Sequence, residues 1–322
     1  MTKQKAYIPK KTLEDLEYHE VLSQVAVFAI TELGAQACLA TQPLPDSPEL
    51  HQQLQAVFEF HASFENDNRI PNHGFEDLST SIKMLQIENS VLEIQAFRAI
   101  GASSETVNTL LNFFKKFKAY YPTLFDWGKE MAVNKEIKKE VDHVIDRFGE
   151  VRNNASEDLS RIRKHIHQLK GRIGQSFNKA LSHYTQQDYL DDIRESVLDN
   201  KRVLAVKAMY RRKVKGTIMG SSKTGSIVFM EPETTAQLTR ELQNLLYEET
   251  EEIKKILSQL TNYLRPHTDL IRQYQNYLLQ LDVVYAKACY AQDINGILPK
   301  ITDTQEIEYG QAYHPLLWKT HQ

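Results

Sequence analysis

Cysteine is scarce in this chain of 322 residues: Cys38 and Cys289 are the only two. Each stands singly inside a helical pattern, which excludes a disulfide framework and a thiolate metal set and leaves both to the core. No apolar run approaches the ~18 residues that cross a bilayer, and Met1-Thr-Lys-Gln-Lys leads into no apolar stretch of the signal-peptide kind. The chain therefore reads as cytoplasmic, with no membrane partner. No Ser/His/Asp or Cys/His arrangement emerges from the spacing, and no catalytic residue is nominated. His165 and His167 lie two apart on a helix, so they point in different directions and cannot share a metal as an i, i+4 pair does. With His183 they read as surface or phosphate-facing residues, and no metal site is assigned. A phosphate loop is also missing. The nearest segment, Gly220-Ser-Ser-Lys-Thr-Gly225-Ser226, has no lysine after its second glycine and runs into a strand, which suits a tight glycine turn. No cofactor-binding residue follows from it.

What is present is helical periodicity around a short β segment. The length suggests two or three domains, and a hydrophobic content of 41% is enough for a real core in at least one. From about residue 134 to 264 the pattern is one helical arm running out, a β tip, and a second arm running back. Leu159, Ile162, Ile166, Leu169, Ile173 and Phe177 form the outgoing seam at coiled-coil spacing; Leu238, Leu242, Leu245, Ile253, Ile256 and Leu260 form the returning one. Between them, Arg202 to Lys207 and Gly225 to Met230 are β-branched runs bounded by Asp199-Asn200, Gly216 and Gly220, hence strands.

Charge is concentrated on this arm. Lys201, Arg202, Lys207, Arg211, Arg212, Lys213, Lys215 and Lys223 occur between Lys201 and Ser226 without one Asp or Glu. Leu159 to Gln187 carries Arg161, Arg163, Lys164, Lys170, Arg172 and Lys179, again without an acid. In a chain of net charge -3 this is local basicity, and it attracts polyanions with an affinity that salt removes. Twelve of these side chains, all but Arg163 and Lys179, are the candidate nucleic-acid-binding set. The bland alternative is a solvated coiled-coil face, or an arm that binds protein. Glu248, Glu249, Glu251 and Glu252 read as partners for the basic helix, or as a face that repels nucleic acid. Lysines and arginines on a strand pair grip backbone, and with only Tyr210 and Phe229 nearby nothing at the tip looks like base readout.

Outside the arm, Leu13 to Ala29 has helical spacing, and Leu33-Gly34 reads as a turn into a second helix. Pro43, Pro45 and Pro48 break the pattern; residues 49 to 65 are periodic and Asn66 to Gly74 is a polar loop. Asp77 to Met84, Val91 to Gly101, Ser104 to Tyr121 and Pro122 to Met131 give four further helical pieces, and Thr268 to Gln292 a last long helix. The expected fold class is mainly α: a multihelical core (lever) domain from both ends of the chain, with an inserted antiparallel coiled-coil clamp arm carrying a small antiparallel β-sheet. The expected limits are 1–135 and 246–305 for the core, 136–245 for the arm and about 193–231 for the β tip.

Thr12-Leu-Glu14 with Tyr18 to Leu22, Asp146-Arg-Phe-Gly-Glu-Val-Arg-Asn-Asn-Ala-Ser156 continuing into Leu159-Ser-Arg-Ile-Arg163, Lys201 to Lys207, and Gly225-Ser-Ile-Val-Phe-Met-Glu-Pro232 resemble the core and clamp of the MutS family. The resemblance is narrower to its second bacterial type, which lacks the mismatch-reading amino-terminal domain, and runs from about Thr12 to Ile301. Tyr313-His-Pro-Leu-Leu317 is similar to the motif that opens the family's ATPase domain, so 306–322 is expected to be the start of that domain. The resemblance implies a parent protein with an ATPase using ATP and Mg beyond Gln322, a nuclease domain at its far end, and closure as a homodimer around nucleic acid. It ties such proteins to DNA repair and recombination control, with branched or duplex DNA as partner, or to stalled ribosomes and ribosomal RNA. The fragment itself is expected to be no enzyme and to hold no cofactor.

Overall fold

The structure, a computed structural model, describes residues 8–44, 48–302, 306–310 and 312–320. Its elements in chain order are α1 (Lys10–Asp15), α2 (Tyr18–Ala26), α3 (Glu32–Leu39), α4 (Pro48–Ala62), α5 (Ser79–Gln86), α6 (Ile94–Lys116), α7 (Pro122–Gly128), α8 (Glu136–Val144), α9 (Glu157–Gln186), β1 (Leu190–Leu198), β2 (Lys201–Lys207), β3 (Gly216–Ser221), β4 (Ile227–Pro232), α10 (Glu233–Leu264), α11 (Thr268–Asp293) and α12 (Pro315–Thr320). The chain is mainly helical with one small antiparallel sheet. It divides into two compact units, Met1–Gly149 with Ser258–Gln322, and Glu150–Leu257.

The first unit is built around α11. Tyr274, Leu278, Leu281, Val284 and Ala288 recur at three- and four-residue spacing and pack against Phe60 of α4 and Val107, Leu110 and Phe114 of α6. Two buried carboxylates organise its polar interior. Glu59 accepts from the amides of Thr123 and Leu124 at 3.0 Å each, satisfying the first free N–H groups of α7, whose Pro122 supplies none. Asp282 accepts from the Ile30 amide at 2.8 Å and from the Thr31 amide and hydroxyl. Arg265 donates to the carbonyls of Leu85, Ile87 and Ser90, collecting the loose C-terminal end of α5.

Three helix boundaries differ from the sequence reading. Leu33-Gly34 is not a turn but the first turn of α3, capped by Thr31, whose hydroxyl accepts from the Gly34 amide at 2.9 Å. Glycine is required there because a Cβ would lie 2.1 Å from Asp282 Oδ2. Gly101 does not end a helix either. It lies within the continuous α6, where α8 crosses so closely that a Cβ would meet Val141 at 3.3 Å. The single helix expected over Leu13 to Ala29 is two, broken at Glu17 with φ of 50°. Pro45 lies outside the described residues.

In the second unit, α9 and the part of α10 up to Leu257 run antiparallel. Ascending positions on α9 meet descending ones on α10: Ser156 bonds Glu252 at 2.8 Å, Arg163 bonds Glu249 at 2.7 Å, and Ser176 bonds Thr234 at 3.2 Å. Leu159, Ile162, Ile166, Leu169 and Phe177 are buried and Ile173 half-buried; on α10 Leu238, Leu242, Leu245 and Ile253 are half-buried and Ile256 buried. The sheet has the order β1-β2-β4-β3. Phe177 packs on its inner face with Leu190, Leu204, Val206, Val214, Val228 and Met230. Its outer face curls so that Leu198 of β1 lies 3.5 Å from where a Cβ of Gly220 on β3 would stand, leaving Val203 and Ala205 fully buried.

Candidate nucleic-acid interface

Helical geometry sorts the basic residues of α9. Arg161, Lys164, Arg172, Lys179 and His183 fall at three- and four-residue steps, or multiples of them, and share the face away from the buried seam. Two open hollows lie along that face. One, of about 540 Å³, is lined by Arg161, Lys164, His165 and Gln168 together with Asn154 and Ser156. The other, of about 490 Å³, is lined by Arg172, Lys179, His183 and Tyr184 with Lys215 from the β2–β3 connection and Glu233 of α10. Lys170 is exposed on a different face of the helix. Arg161 also pairs with Asp158, one turn earlier, at 2.6 Å. Arg163, outside the candidate set, is structural: it bonds Glu249, the carbonyl of Val151 and Asn153.

The eight cations of the tip divide into two groups. Lys201 pairs with Glu231 at 3.2 Å, Arg202 with Glu195 at 2.6 Å and Lys207 with Asp188 at 2.9 Å. The Asp188 hydrogen bond holds the Lys207 ammonium above its ordinary pKa. Arg202 also lies over the Phe177 ring, 4.2 Å from its centroid. Arg211, Arg212, Lys215 and Lys223 are exposed and have no ion pair among the described residues. Lys213 is exposed too, with its ammonium 5.6 Å from the ring centroids of both Tyr189 and Tyr210. The acids that engage the first group lie just outside the acid-free run, on the turn after α9 and on strands β1 and β4, and antiparallel pairing brings them across. Register places Val197 opposite Arg202 and Leu198 opposite Lys201. Glu231 is buried, whereas the side chains of Glu195 and Asp188 are exposed and their screened pairs contribute little to stability; all three pairs reduce the charge offered to a polyanion.

The acidic cluster on α10 is largely spoken for. Glu249 binds Arg163, Glu252 accepts from Ser156 and pairs with Lys255, and Glu251 pairs with Lys254. Segment Ser222 to Ser226 joins two antiparallel strands, β3 and β4, with Gly225 at φ of 71°. Among the described residues no group of three or more His, Cys, Asp or Glu could hold a metal ion, and no helix is long and apolar enough to cross a membrane.

No family model matches the chain. Curated proteins do. It is 28% identical over 311 residues to an Endonuclease MutS2 of Bacillus velezensis, covering 96% of this chain and 40% of that protein. It is 29% identical over 315 residues to an Endonuclease MutS2 of Leuconostoc mesenteroides, covering 96% and 39%. A Putative endonuclease MutS2 of Bacillus subtilis is 27% identical over 311 residues, with 96% and 40% covered. The similarity supports a MutS-related family. The chain spans about 40% of the length of the MutS2 proteins it matches.

Proposed function

We propose that the second unit is a nucleic-acid clamp of a MutS-type DNA repair or recombination protein, and that the first unit is the lever through which a longer parent couples this grip to an ATPase. The observation that carries the reading is the set of tip cations left free of carboxylates, Arg211, Arg212, Lys215 and Lys223, of which Lys215 shares a hollow with Arg172 and Lys179 of α9. A protein-binding or purely structural coiled coil would use Arg163–Glu249 and Ser156–Glu252, which hold the helices together, but it gives Arg172, Lys179 and Lys215 no work. Phosphate is the group those side chains fit, as point charges and forks without base-edge geometry. Recognition is then of shape, in branched DNA or structured RNA such as that of the ribosome, and the parent acts as an ATP- and Mg-dependent homodimer carrying an endonuclease portion.

Binding of this chain to a four-way DNA junction, linear duplex and ribosomal RNA across a salt series tests the reading. Affinity falling steeply with salt while the fold persists supports it. Salt-insensitive binding, or none to any of the three, overturns it.

A further inference from the structure

The tip carries more than phosphate chemistry. Tyr189 and Tyr210 stack with ring centroids 4.8 Å apart and planes inclined by 28°, and Tyr184 extends the ladder, 6.4 Å from Tyr189 at 27°. The three rings are half-buried and pack against the sheet core. Met209, beside Tyr210, is 77% exposed. Around them stand Arg211, Arg212, Lys213 and Lys215; the Lys215 amide donates to the Tyr184 hydroxyl at 3.1 Å, and His183 meets the Tyr184 ring edge-on at 5.0 Å.

Of these three rings, the sequence reading of the tip included only Tyr210. Tyr189 arrives because β1 pairs antiparallel with β2, with the Lys207 amide donating to the Tyr189 carbonyl at 3.0 Å. Tyr184 follows from the last turn of α9.

Duplex phosphates would engage the cations but have no use for a half-exposed aromatic ladder ending beside an exposed methionine. Unpaired nucleobases do, since each offers a π-face that stacks on tyrosine while its phosphates reach the neighbouring cations. Resting on the clamp reading, we propose that the tip binds an unpaired single-stranded segment of nucleic acid, with a base stacked at the Tyr210 end of the ladder beside Met209 and its phosphates on Arg211, Arg212 and Lys213. The preferred targets are then junctions, flaps or loops that expose unpaired bases, not continuous duplex. The hydroxyl of the sugar plays no part in stacking, so DNA and RNA strands share the chemistry.

The test uses the whole chain and fluorescence anisotropy with a labelled oligothymidylate, an oligouridylate of the same length and a blunt duplex. Tyr210→Leu is expected to weaken binding of the single strands about tenfold, within the range one stacked base contributes, and to leave the duplex unchanged. Tyr210→Phe keeps the ring and should bind as the parent does. Should Tyr210→Leu disturb the tip, the exposed Met209→Ser reports the same surface without touching the core and should lower single-strand affinity only. Equal losses on single strand and duplex, no loss on either, or equal losses in the Phe and Leu variants would overturn the inference. Loss on oligouridylate alone restricts the site to RNA, and loss on oligothymidylate alone to DNA; either result upholds base stacking. If the unmodified chain binds duplex in a salt-dependent way but single strands no better, only the stacking site fails. If it binds none of the probes, the clamp reading fails with it.

Discussion

Thr31 and Asp282, 251 residues apart in sequence, are joined twice: Asp282 Oδ2 accepts from the Thr31 amide at 3.0 Å and from its hydroxyl at 2.6 Å. The same hydroxyl accepts from the Gly34 amide, so one carboxylate on α11 fixes the cap that starts α3. Oδ1 takes the Ile30 amide and lies 3.6 Å from His73 Nε2, on a loop that packs over Phe60 and Tyr285. Asp282 is fully buried, so its removal leaves buried donors without an acceptor.

Asp282→Ala is therefore expected to destabilise the first unit by about 3 kcal/mol, the scale for breaking a buried charged network. Gly34→Ala, which forces a methyl against the same carboxylate, should cost about 2 kcal/mol as overpacking. Urea denaturation followed by circular dichroism measures both. A change within the error of the midpoint for Asp282→Ala would show that the network is not structural.

The pH dependence has a definite sign. Burial pushes the Asp282 carboxyl up, but His73, the Thr31 hydroxyl and the two amides outweigh it and hold the pKa below the ordinary carboxylate value. A lowered folded pKa means the contribution is complete above the unfolded value, about 4, and is lost as pH falls through the folded one. The stability difference between the parent and Asp282→Asn should shrink as pH falls below about 4. A difference that grows on acidification would contradict the assignment.

The tip cations should fall into two classes. Replacing Arg211, Arg212 and Lys213 with alanine is expected to weaken nucleic-acid binding and flatten its salt slope by about 0.7 to 0.9 per lost phosphate contact. Replacing Lys201, Arg202 and Lys207, which face Glu231, Glu195 and Asp188, should change the slope much less. Titrations of both triple variants against one duplex at several salt concentrations separate the classes. Equal slopes would mean the internal pairs open on binding.

Helical periodicity made α9, α10 and α11 legible as long elements, whereas α6 read as two pieces because Gly101 looked like an end and is a close crossing with α8. Strands β2 and β4 were readable from β-branched runs. β1 was not: Leu190 to Leu198 carries Asp191, Asp192, Arg194 and Glu195, and forms an edge strand with an irregular register and Arg194 at φ of 59°. β3, with glycine at two of six positions, gave no strand signal. Those two omissions hid what matters at the site. Register alone brings Glu195 to Arg202 and Tyr189 towards Tyr210, and neither contact is written in local spacing. Asp282 was hidden for a related reason, since its partners lie at the other end of the chain.

The seam between α9 and α10 offers a last expectation. Ile166 is only 6% exposed, one turn beyond Arg163, whose ion pair with Glu249 ties the two helices. An aspartate there would place a carboxylate in an apolar seam, where loss of water disfavours the charge. Ile166→Asp should cost about 3 kcal/mol or more within Glu150–Leu257. Native-state hydrogen exchange locates the loss. Amides of α9 and of α10 up to Leu257 should exchange faster, while those of α6 and α11, whose core draws on Val107, Leu110, Tyr274 and Leu278, keep their protection. Equal loss in α6 and α11 would show that the two units open as one cooperative body, and the arm could then not fray while the core holds.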